Sequence, residues 1–343
     1  MIFVEEALQD NSCSKMNVLG CLHFQKECTA SSELMCCEFN KDGSMVAAGV
    51  SNGQIQVFHP NTGSQLYHLV DETMPKYPVV SVSFKKKEDS VKNILLAVYA
   101  SGIVCHWHTS TQSCVSKIRE ARQTLAVAYA PDCSTFTTAG ADRKLLVYDE
   151  TTHQLTATLE ASINTQVMDG HASRVFSLKY HPTDPHLLIS GGWDDTVQFW
   201  DTREKHSIRK LSGPHICGDA MDIEPETCRI ATGSWRKDDN IQIWDFNTCK
   251  LIKTVYSELL DSRLYGVRWA QKDTLLVGGS QRNVVQVINT EYDGVHGEIN
   301  HLSSGVYDVT YSPAIHCAAV ATGSSLIIAS VGKEKAFITQ FSE

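Results

Sequence analysis

Two histidines that flank a tryptophan have a spacing that could support metal chemistry. His106 and His108 lie on either side of Trp107, and residues two apart in a strand point to the same face. Two imidazoles on one face could bind zinc or another transition metal. No third ligand with suitable spacing accompanies them, so the sequence predicts ordinary strand positions here and no metal site.

Several short motifs of catalysis and cofactor binding are missing from the sequence. The chain has no P-loop, no Gly-x-Gly-x-x-Gly after a strand and no His-Glu-x-x-His. Its twelve cysteines are spread from Cys13 to Cys317 without a Cys-x-x-Cys pair, which favours reduced thiols over a disulfide framework or a zinc finger. We therefore expect neither a cofactor nor a metal.

Composition and charge argue against several classes of function. Of the 343 residues, 42% are hydrophobic and 20% are charged, as in a soluble globular protein. Lys and Arg number 30 and Asp and Glu 39, so the net charge of −9 gives no overall basic surface for nucleic acid or an anionic membrane. The first ten residues lack the pattern of a signal peptide, and we expect an intracellular location, cytoplasmic or nuclear.

A repeated strand pattern determines the predicted fold. Short apolar runs recur seven times, with their last residues 42 to 51 positions apart. The runs end at Phe39, Phe84, Tyr129, Tyr180, Ile223, Trp269 and Tyr311. Each unit continues with small residues, a turn and an alternating run, most clearly at Leu188–Asp201. Alternation with period two predicts strands, and a unit of this length predicts a four-stranded sheet.

The repeat resembles that of the WD40-repeat β-propeller family over nearly the whole chain. The fourth unit carries the family's Gly-His pair at Gly170-His171 and its Trp-Asp pair at Trp200-Asp201. The resemblance implies an all-β, seven-bladed propeller as a single domain at 18–343, after an N-terminal extension at 1–17. The implied blades lie near residues 34–70, 78–120, 123–160, 170–214, 215–258, 262–300 and 305–341.

Closure of the ring requires an additional strand, because the last unit is short and an open sheet edge would remain. The run Val18–Phe24 precedes the first unit and looks like a fourth strand without its first three. The last unit, from Val306, has room for three strands, the last of them expected at Phe337–Phe341. We predict that residues 18–25 form the outer strand of the seventh blade. For the inner strand pair of that blade, the sequence leaves two alternatives, residues 318–321 or residues 326–330.

The resemblance also implies a hydrogen-bonded tetrad that rigidifies the fourth blade. The family positions are occupied by His171, Ser190, Asp194 and Trp200. Because Ser, His and Asp also form catalytic triads, catalysis is the alternative interpretation, but recurrence of the same positions in other blades favours a structural role. The third blade has Thr138, Asp142 and Tyr148 without a Gly-His pair.

The predicted binding surface is the top of the propeller, where the first strand of each blade begins. Trp193 and Trp235 occupy matched turns in neighbouring blades. Trp, Tyr and Arg side chains dominate the energy of protein interfaces. We predict a partner-binding set that consists of Phe176, Trp193, Asp219, Trp235, Arg236, Tyr265 and Tyr307.

A second resemblance concerns the opposite, bottom face. Leu188–Arg203 is similar to the box ending in Trp-Asp-x-Arg of WD40 proteins that serve as substrate receptors of cullin-4 ubiquitin ligases. The resemblance implies that Asp201 and Arg203 contact the ligase adaptor, and it assigns Asp194 and Trp200 to the same box. Since the box overlaps the ordinary repeat, Arg203 alone adds information.

These observations lead to one functional hypothesis and two alternatives. The resemblance implies a non-enzymatic scaffold that binds a protein or peptide on the top face, within a multiprotein complex and without a nucleic-acid or membrane partner. The first alternative is a ligase substrate receptor that uses Trp200–Arg203. The second is an enzyme in the central channel, for which Asp219 and Asp308 are the nearby acids.

Overall fold

Every regular element in the described part of the chain is a β-strand. A computed structural model describes residues 16–86, 93–164, 166–256, 262–281 and 283–332. Across these ranges, no helix has the length and apolar character needed to cross a lipid bilayer. Two strands, β1 (Asn17–Gly20) and β2 (Leu22–Thr29), precede the first repeat.

The first three repeats form antiparallel four-stranded sheets, or blades, whose strands follow chain order. Blade one contains β3 (Leu34–Phe39), β4 (Val46–Val50), β5 (Ile55–Phe58) and β6 (Gln65–Leu69). Blade two contains β7 (Val79–Phe84), β8 (Ile94–Tyr99), β9 (Ile103–His108) and β10 (Ser113–Arg119). Blade three contains β11 (Thr124–Tyr129), β12 (Thr135–Gly140), β13 (Leu145–Asp149) and β14 (Leu155–Leu159).

Blades four to six follow the same order. Blade four contains β15 (Val175–Tyr180), β16 (Leu187–Gly192), β17 (Thr196–Asp201) and β18 (Arg209–Ser212). Blade five contains β19 (Met221–Ile223), β20 (Arg229–Gly233), β21 (Ile241–Asp245) and β22 (Leu251–Thr254). Blade six contains β23 (Leu264–Gln271), β24 (Thr274–Gly279), β25 (Val285–Asn289) and β26 (Gly294–Asn300).

The seventh blade is completed by the amino-terminal part of the chain. Its first three strands are β27 (Val306–Ser312), β28 (Cys317–Thr322) and β29 (Ser325–Val331). Strand β2 pairs antiparallel with β29 as the fourth strand, with Leu22 opposite Val331. The predicted fold, a seven-bladed all-β propeller closed by an N-terminal strand, is confirmed.

The bounds of the closing strand differ from the predicted residues 18–25. The outer strand of blade seven is 22–29, whereas 17–20 forms β1 and adds a fifth strand to blade six by pairing with β26. The chain changes partner at Gly20, whose φ of 71° suits glycine. Both candidate inner segments of blade seven are strands, and the strand predicted at 337–341 lies outside the described residues.

The hydrophobic core lies between neighbouring sheets. Between blades one and two, for example, Trp107 and Phe84 pack with Ile55 and Leu69, and all four side chains are buried. Sheets covered on both faces explain why β4, β24 and β28 are buried at every position and read as continuous apolar runs. The inner strands contact one another in ring order, and β27 contacts β3. This packing fixes the positions of the residues at the channel.

Candidate functional site

The seven inner strands enclose a channel of about 1120 Å³. We call the face at which the inner strands begin the top; the turns between second and third strands lie on the same face because neighbouring strands are antiparallel. The positions four residues before each anchoring residue all line the channel. They are Met35, Val80, Leu125, Phe176, Asp219, Tyr265 and Tyr307. The structure therefore brings these matched positions into one ring.

One group of aromatic rings lies at the top of blade four. The rings of Phe176 and Trp193 are 5.1 Å apart, and Trp193 stacks on His215 with a centroid distance of 6.2 Å. The indole N–H of Trp193 donates a hydrogen bond to the Cys217 sulfur at 2.7 Å. Trp193 nonetheless keeps 42% of its surface exposed, which makes it a candidate interface residue.

A second group of rings crosses blades five to seven. The Tyr265 ring lies 6.3 Å from Trp235 and 6.0 Å from Tyr307. The indole N–H of Trp235 is buried and has no acceptor among the described residues. We call the two groups together the aromatic rim, which consists of Phe176, Trp193, His215, Trp235, Tyr265 and Tyr307.

Polar contacts connect the turns that carry the rim. His215 Nδ1 lies 2.7 Å from Asp195 Oδ1, and the other carboxylate oxygen of Asp195 pairs with Arg236 at 2.7 Å. The backbone N–H of Trp235 donates to the carbonyl of His215 at 2.8 Å. The predicted residue Arg236 is therefore at the rim, but already ion-paired. His215 was not predicted, because it lies in the connection between β18 and β19, which the repeat pattern leaves unassigned. Asp195 was not predicted either, although it lies in the same turn as Trp193 and Asp194.

Asp219, predicted as a binding residue, lies in an ion-pair network of the channel. Its carboxylate accepts hydrogen bonds from Lys179 Nζ at 2.9 Å and Ser177 Oγ at 2.7 Å, and it pairs with Arg268. Burial opposes ionisation of Asp219, but the attraction of Arg268 and Lys179 outweighs it and holds the pKa well below its usual value. Its carboxylate is thus already satisfied within the fold.

Asp308, the second acid considered for catalysis, connects the last blade to the first. Its carboxylate accepts the backbone N–H groups of Cys37 at 2.9 Å and Val309 at 2.8 Å, and Arg268 lies 3.7 Å away. The residue is 4% exposed. The cations Arg268 and Lys179 balance Asp219, whereas burial raises the pKa of Asp308 to about 7 despite its amide donors and Arg268. Both carboxylates are held by contacts within the fold, and this geometry favours a structural role over acid–base catalysis.

The four tetrad side chains of blade four form a buried chain of hydrogen bonds. His171 Nδ1 lies 2.8 Å from Asp194 Oδ2, and His171 Nε2 lies 2.6 Å from Ser190 Oγ. The indole N–H of Trp200 donates to the same Ser190 oxygen at 2.7 Å. Ser190 and Trp200 are both 0% exposed. Because a substrate cannot reach a fully buried hydroxyl, the arrangement favours rigidification of the blade.

The comparison with known families agrees with this geometry. Residues 21–59 and 162–201 match a family model described as "WD domain, G-beta repeat". The second segment contains the whole tetrad, and seven blades of this type surround the channel. The chain belongs to the WD40-repeat family.

Relatives of this WD40 protein have varied descriptions. An uncharacterized WD repeat-containing protein of Schizosaccharomyces pombe is 22% identical over 80% of this chain and 72% of its own length. A transcriptional corepressor of Arabidopsis thaliana is 22% identical over 67% of the chain. The histone acetyltransferase type B subunit 2 of Gibberella zeae is 31% identical over 21%. The alignments cover 28% and 17% of these last two proteins. WD40 propellers generally act as non-enzymatic scaffolds for protein interactions.

The WD40 tetrad gives a pH-dependent prediction for Asp194→Asn. Burial opposes ionisation of Asp194, but hydrogen bonds from His171, the Ala172 amide and Thr196 hold its pKa below the ordinary 3.8. Such a carboxylate stabilises the fold above its unfolded pKa, and this contribution is lost as the pH falls. We expect urea denaturation to show a deficit of about 1–3 kcal/mol at pH 7 that shrinks below about pH 4. An equal deficit at both pH values would contradict this role.

Blade three replaces the WD40 histidine with an arginine, which the sequence did not reveal. Arg122 donates to Asp142 Oδ1 at 2.7 Å, to Thr138 Oγ1 at 2.8 Å and to Glu120 Oε2 at 2.7 Å. The Tyr148 hydroxyl donates to Glu120 Oε1 at 2.9 Å. The side chains of Arg122 and Glu120 are 4% and 1% exposed. A buried ion pair thus connects the three residues that the repeat pattern identified.

Arg203 lies on the bottom face, after β17. Its Nε and Nη2 donate to the two carboxylate oxygens of Asp201 at 2.8 and 2.6 Å, and its side chain is 64% exposed. Asp194 and Trp200 of the same box are buried in the tetrad. Among the four named positions of the box, Arg203 is therefore the most exposed, and its guanidinium is oriented by Asp201.

His106 and His108 have separate partners. His106 is 2% exposed, with Nε2 at 3.2 Å from Glu150 and Nδ1 at 2.9 Å from Ser116 Oγ. His108 Nδ1 lies 2.8 Å from Thr111 Oγ1. Within the described ranges, no group of three His, Cys, Asp or Glu side chains is arranged to hold a metal ion.

One turn of blade one has the spacing of a hydrolase nucleophile. The segment Gly49–Gly53 follows the pattern Gly-x-Ser-x-Gly, but it joins two strands, whereas that motif joins a strand to a helix. Ser51 Oγ contacts Ser32 Oγ at 3.0 Å, and no described histidine contacts it. The geometry is that of a propeller turn.

Proposed function

We propose that this WD40 protein is a non-enzymatic scaffold that binds a protein or peptide partner at the aromatic rim. The observation that carries the proposal is the rim itself, six rings in one sector of the channel mouth. Its most exposed member, Trp193, leaves 42% of its surface in solvent. Aromatic side chains in such positions are the usual anchors of protein interfaces.

The fixed geometry of the rim supports a binding role. Trp193 is held by its hydrogen bond to Cys217, and His215 is held by Asp195 at 2.7 Å. Side chains that are already ordered lose little conformational entropy when a partner binds. The rim is therefore a preorganised surface, as expected for a scaffold.

A second candidate function is that of a cullin-4 ligase substrate receptor. It is supported by the exposure of Arg203 and by the bidentate pairing with Asp201 that orients the guanidinium. Such a receptor would bind the ligase adaptor on the bottom face and a substrate on the top face. The two candidates therefore share the rim and differ in the role of Arg203.

Substitution of rim residues is expected to lower partner recovery strongly. Trp193→Ala and Tyr265→Ala should each lower the recovery of specific partners at least about tenfold, because truncation of an interface anchor costs about 2 kcal/mol or more. The measurement is affinity purification with quantitative mass spectrometry, after thermal melting has shown that the variants are folded.

Arg203→Ala is the matched control on the opposite face. It should leave rim-dependent partners unchanged, and selective loss of the ligase adaptor with this variant would support the second candidate. Unchanged recovery with both rim variants would contradict the proposed binding site.

A further inference from the structure

Two arginines flank the tryptophans of the aromatic rim. The guanidinium carbon of Arg174 lies 5.6 Å from the centre of the Trp193 ring, and that of Arg263 lies 4.2 Å from the centre of the Trp235 ring. Each arginine immediately precedes the inner strand of its blade, β15 or β23. The two cations therefore occupy matched positions in blades four and six, on either side of blade five.

The backbone at both arginines is fixed by the neighbouring strand. The carbonyl of Arg174 accepts the N–H of Trp193 at 3.0 Å, and that of Arg263 accepts the N–H of Ser280 at 3.0 Å. A Cβ at Gly192 would lie 2.2 Å from the Arg174 carbonyl oxygen, and one at Gly279 would lie 2.5 Å from that of Arg263. Glycine thus permits the close approach that fixes the backbone of each arginine.

Neither guanidinium is neutralised within the described ranges. There, no carboxylate lies within 4.0 Å of Arg174 or Arg263, in contrast to Arg236, which pairs with Asp195. Asp238 and Asp239 are exposed in the turn of blade five, but no described ion pair joins them to either arginine. As far as the described residues are concerned, the two cations at the rim are thus available to a ligand.

Stacking leaves the hydrogen-bonding edge of a guanidinium free. An arginine that lies over an indole uses its planar face, while its N–H fork can still donate two parallel hydrogen bonds to a carboxylate. Arg174 is exposed and Arg263 is half-buried, so neither residue is sealed off from solvent. The rim therefore combines apolar surface with two oriented anion-binding groups.

We propose that the aromatic rim recognises an acidic peptide segment, with Asp or Glu carboxylates on Arg174 and Arg263 and an apolar side chain against the rings between them. This inference rests on the proposed function and adds the chemical class of the partner. With a net charge of −9, the rest of the protein surface repels acidic peptides. Selectivity would then come from these two residues.

The test uses four pools of fluorescent 12-residue peptides with the same apolar residues. The variable positions contain glutamate, phosphoserine, glutamine or lysine, and affinity is measured by fluorescence anisotropy. We expect the glutamate pool to bind at least about tenfold more tightly than the glutamine pool and to weaken with salt. Arg174→Gln and Arg263→Gln should each remove about tenfold of that affinity, and the glutamate pool should lose more affinity than the glutamine pool. Arg143→Gln, at an exposed arginine in a turn of blade three, is the matched control.

The outcomes separate this inference from the proposed function. Equal affinity of the glutamate, glutamine and lysine pools, lost in Trp193→Ala, would overturn the acidic assignment and leave the binding site standing. Binding of the phosphoserine pool alone would overturn the proposal that carboxylates bind the two arginines and would indicate a phosphate ligand instead. Failure of all four pools to bind in a Trp193-dependent manner would overturn both. Thermal melting of each variant excludes loss of folding as the cause.

Discussion

Arg122→Ala is expected to lower the free energy of unfolding by about 3–5 kcal/mol, because it breaks a buried ion pair on one side. Glu120 would keep hydrogen bonds from Thr138 at 2.5 Å and Tyr148 at 2.9 Å, but its carboxylate, 1% exposed, would lose its cation. Asp142 would lose the same partner. Urea denaturation, followed by circular dichroism, measures the difference from the wild type.

Two controls distinguish a buried charge from a general loss of packing. In the double variant Arg122→Met/Glu120→Met, most of the stability should return, because no fully buried charge remains unpaired. Asp142 also loses Arg122, but its side chain is 33% exposed and can be hydrated. Arg203→Ala removes an arginine whose side chain is 64% exposed from a pair with Asp201, and it should leave the free energy of unfolding nearly unchanged because solvent screens the pair. Equal effects of Arg122→Ala and Arg203→Ala would refute the buried network.

Blade three also shows what a repeat pattern can and cannot predict. Thr138 and Tyr148 lie on strands whose phase recurs in every blade, so their positions followed from period-two alternation. Arg122 lies in the connection before β11, two residues from the strand, whereas His171 lies four residues before β15. The long side chain of Arg122 reaches the position in its blade that the His171 ring occupies in blade four. Because the two residues lie at different distances from the inner strand, an alignment of the repeats does not match them.

The channel shows the same limit for charged residues. The position of Asp219 at the channel was predictable. Inner strands that are equivalent in every repeat place their matched residues at the same level along the channel axis. Its partners Lys179 and Arg268 belong to the blades on either side, 40 and 49 residues away in the sequence. Contacts between blades depend on how the sheets pack around the axis. The sequence therefore predicts a binding aspartate, whereas the structure places Asp219 in an ion-pair network.

Truncation at the amino terminus gives the second large effect. Removal of residues 1–29 is expected to destabilise the propeller by more than about 5 kcal/mol, a loss comparable with the whole stability of many domains. Strand β2 pairs with β29 at seven positions and buries Leu22 and Cys28, each 2% exposed. Without it, β29 becomes an open edge of the seventh blade, and such edges promote aggregation.

Removal of residues 1–20 is the matched control for this truncation. It deletes β1, which pairs with β26 at four positions as a fifth strand, and leaves all seven four-stranded blades intact. We expect this shorter truncation to melt within a few degrees of the full chain, whereas removal of residues 1–29 should yield aggregates in size-exclusion chromatography. A synthetic peptide of residues 16–31 should restore folding of the longer truncation. The missing β2 is the outer strand of blade seven, and no loop joins it to the other three strands of that blade, so a separate peptide can take its place. Similar melting of both truncations would mean that β2 does not close the ring.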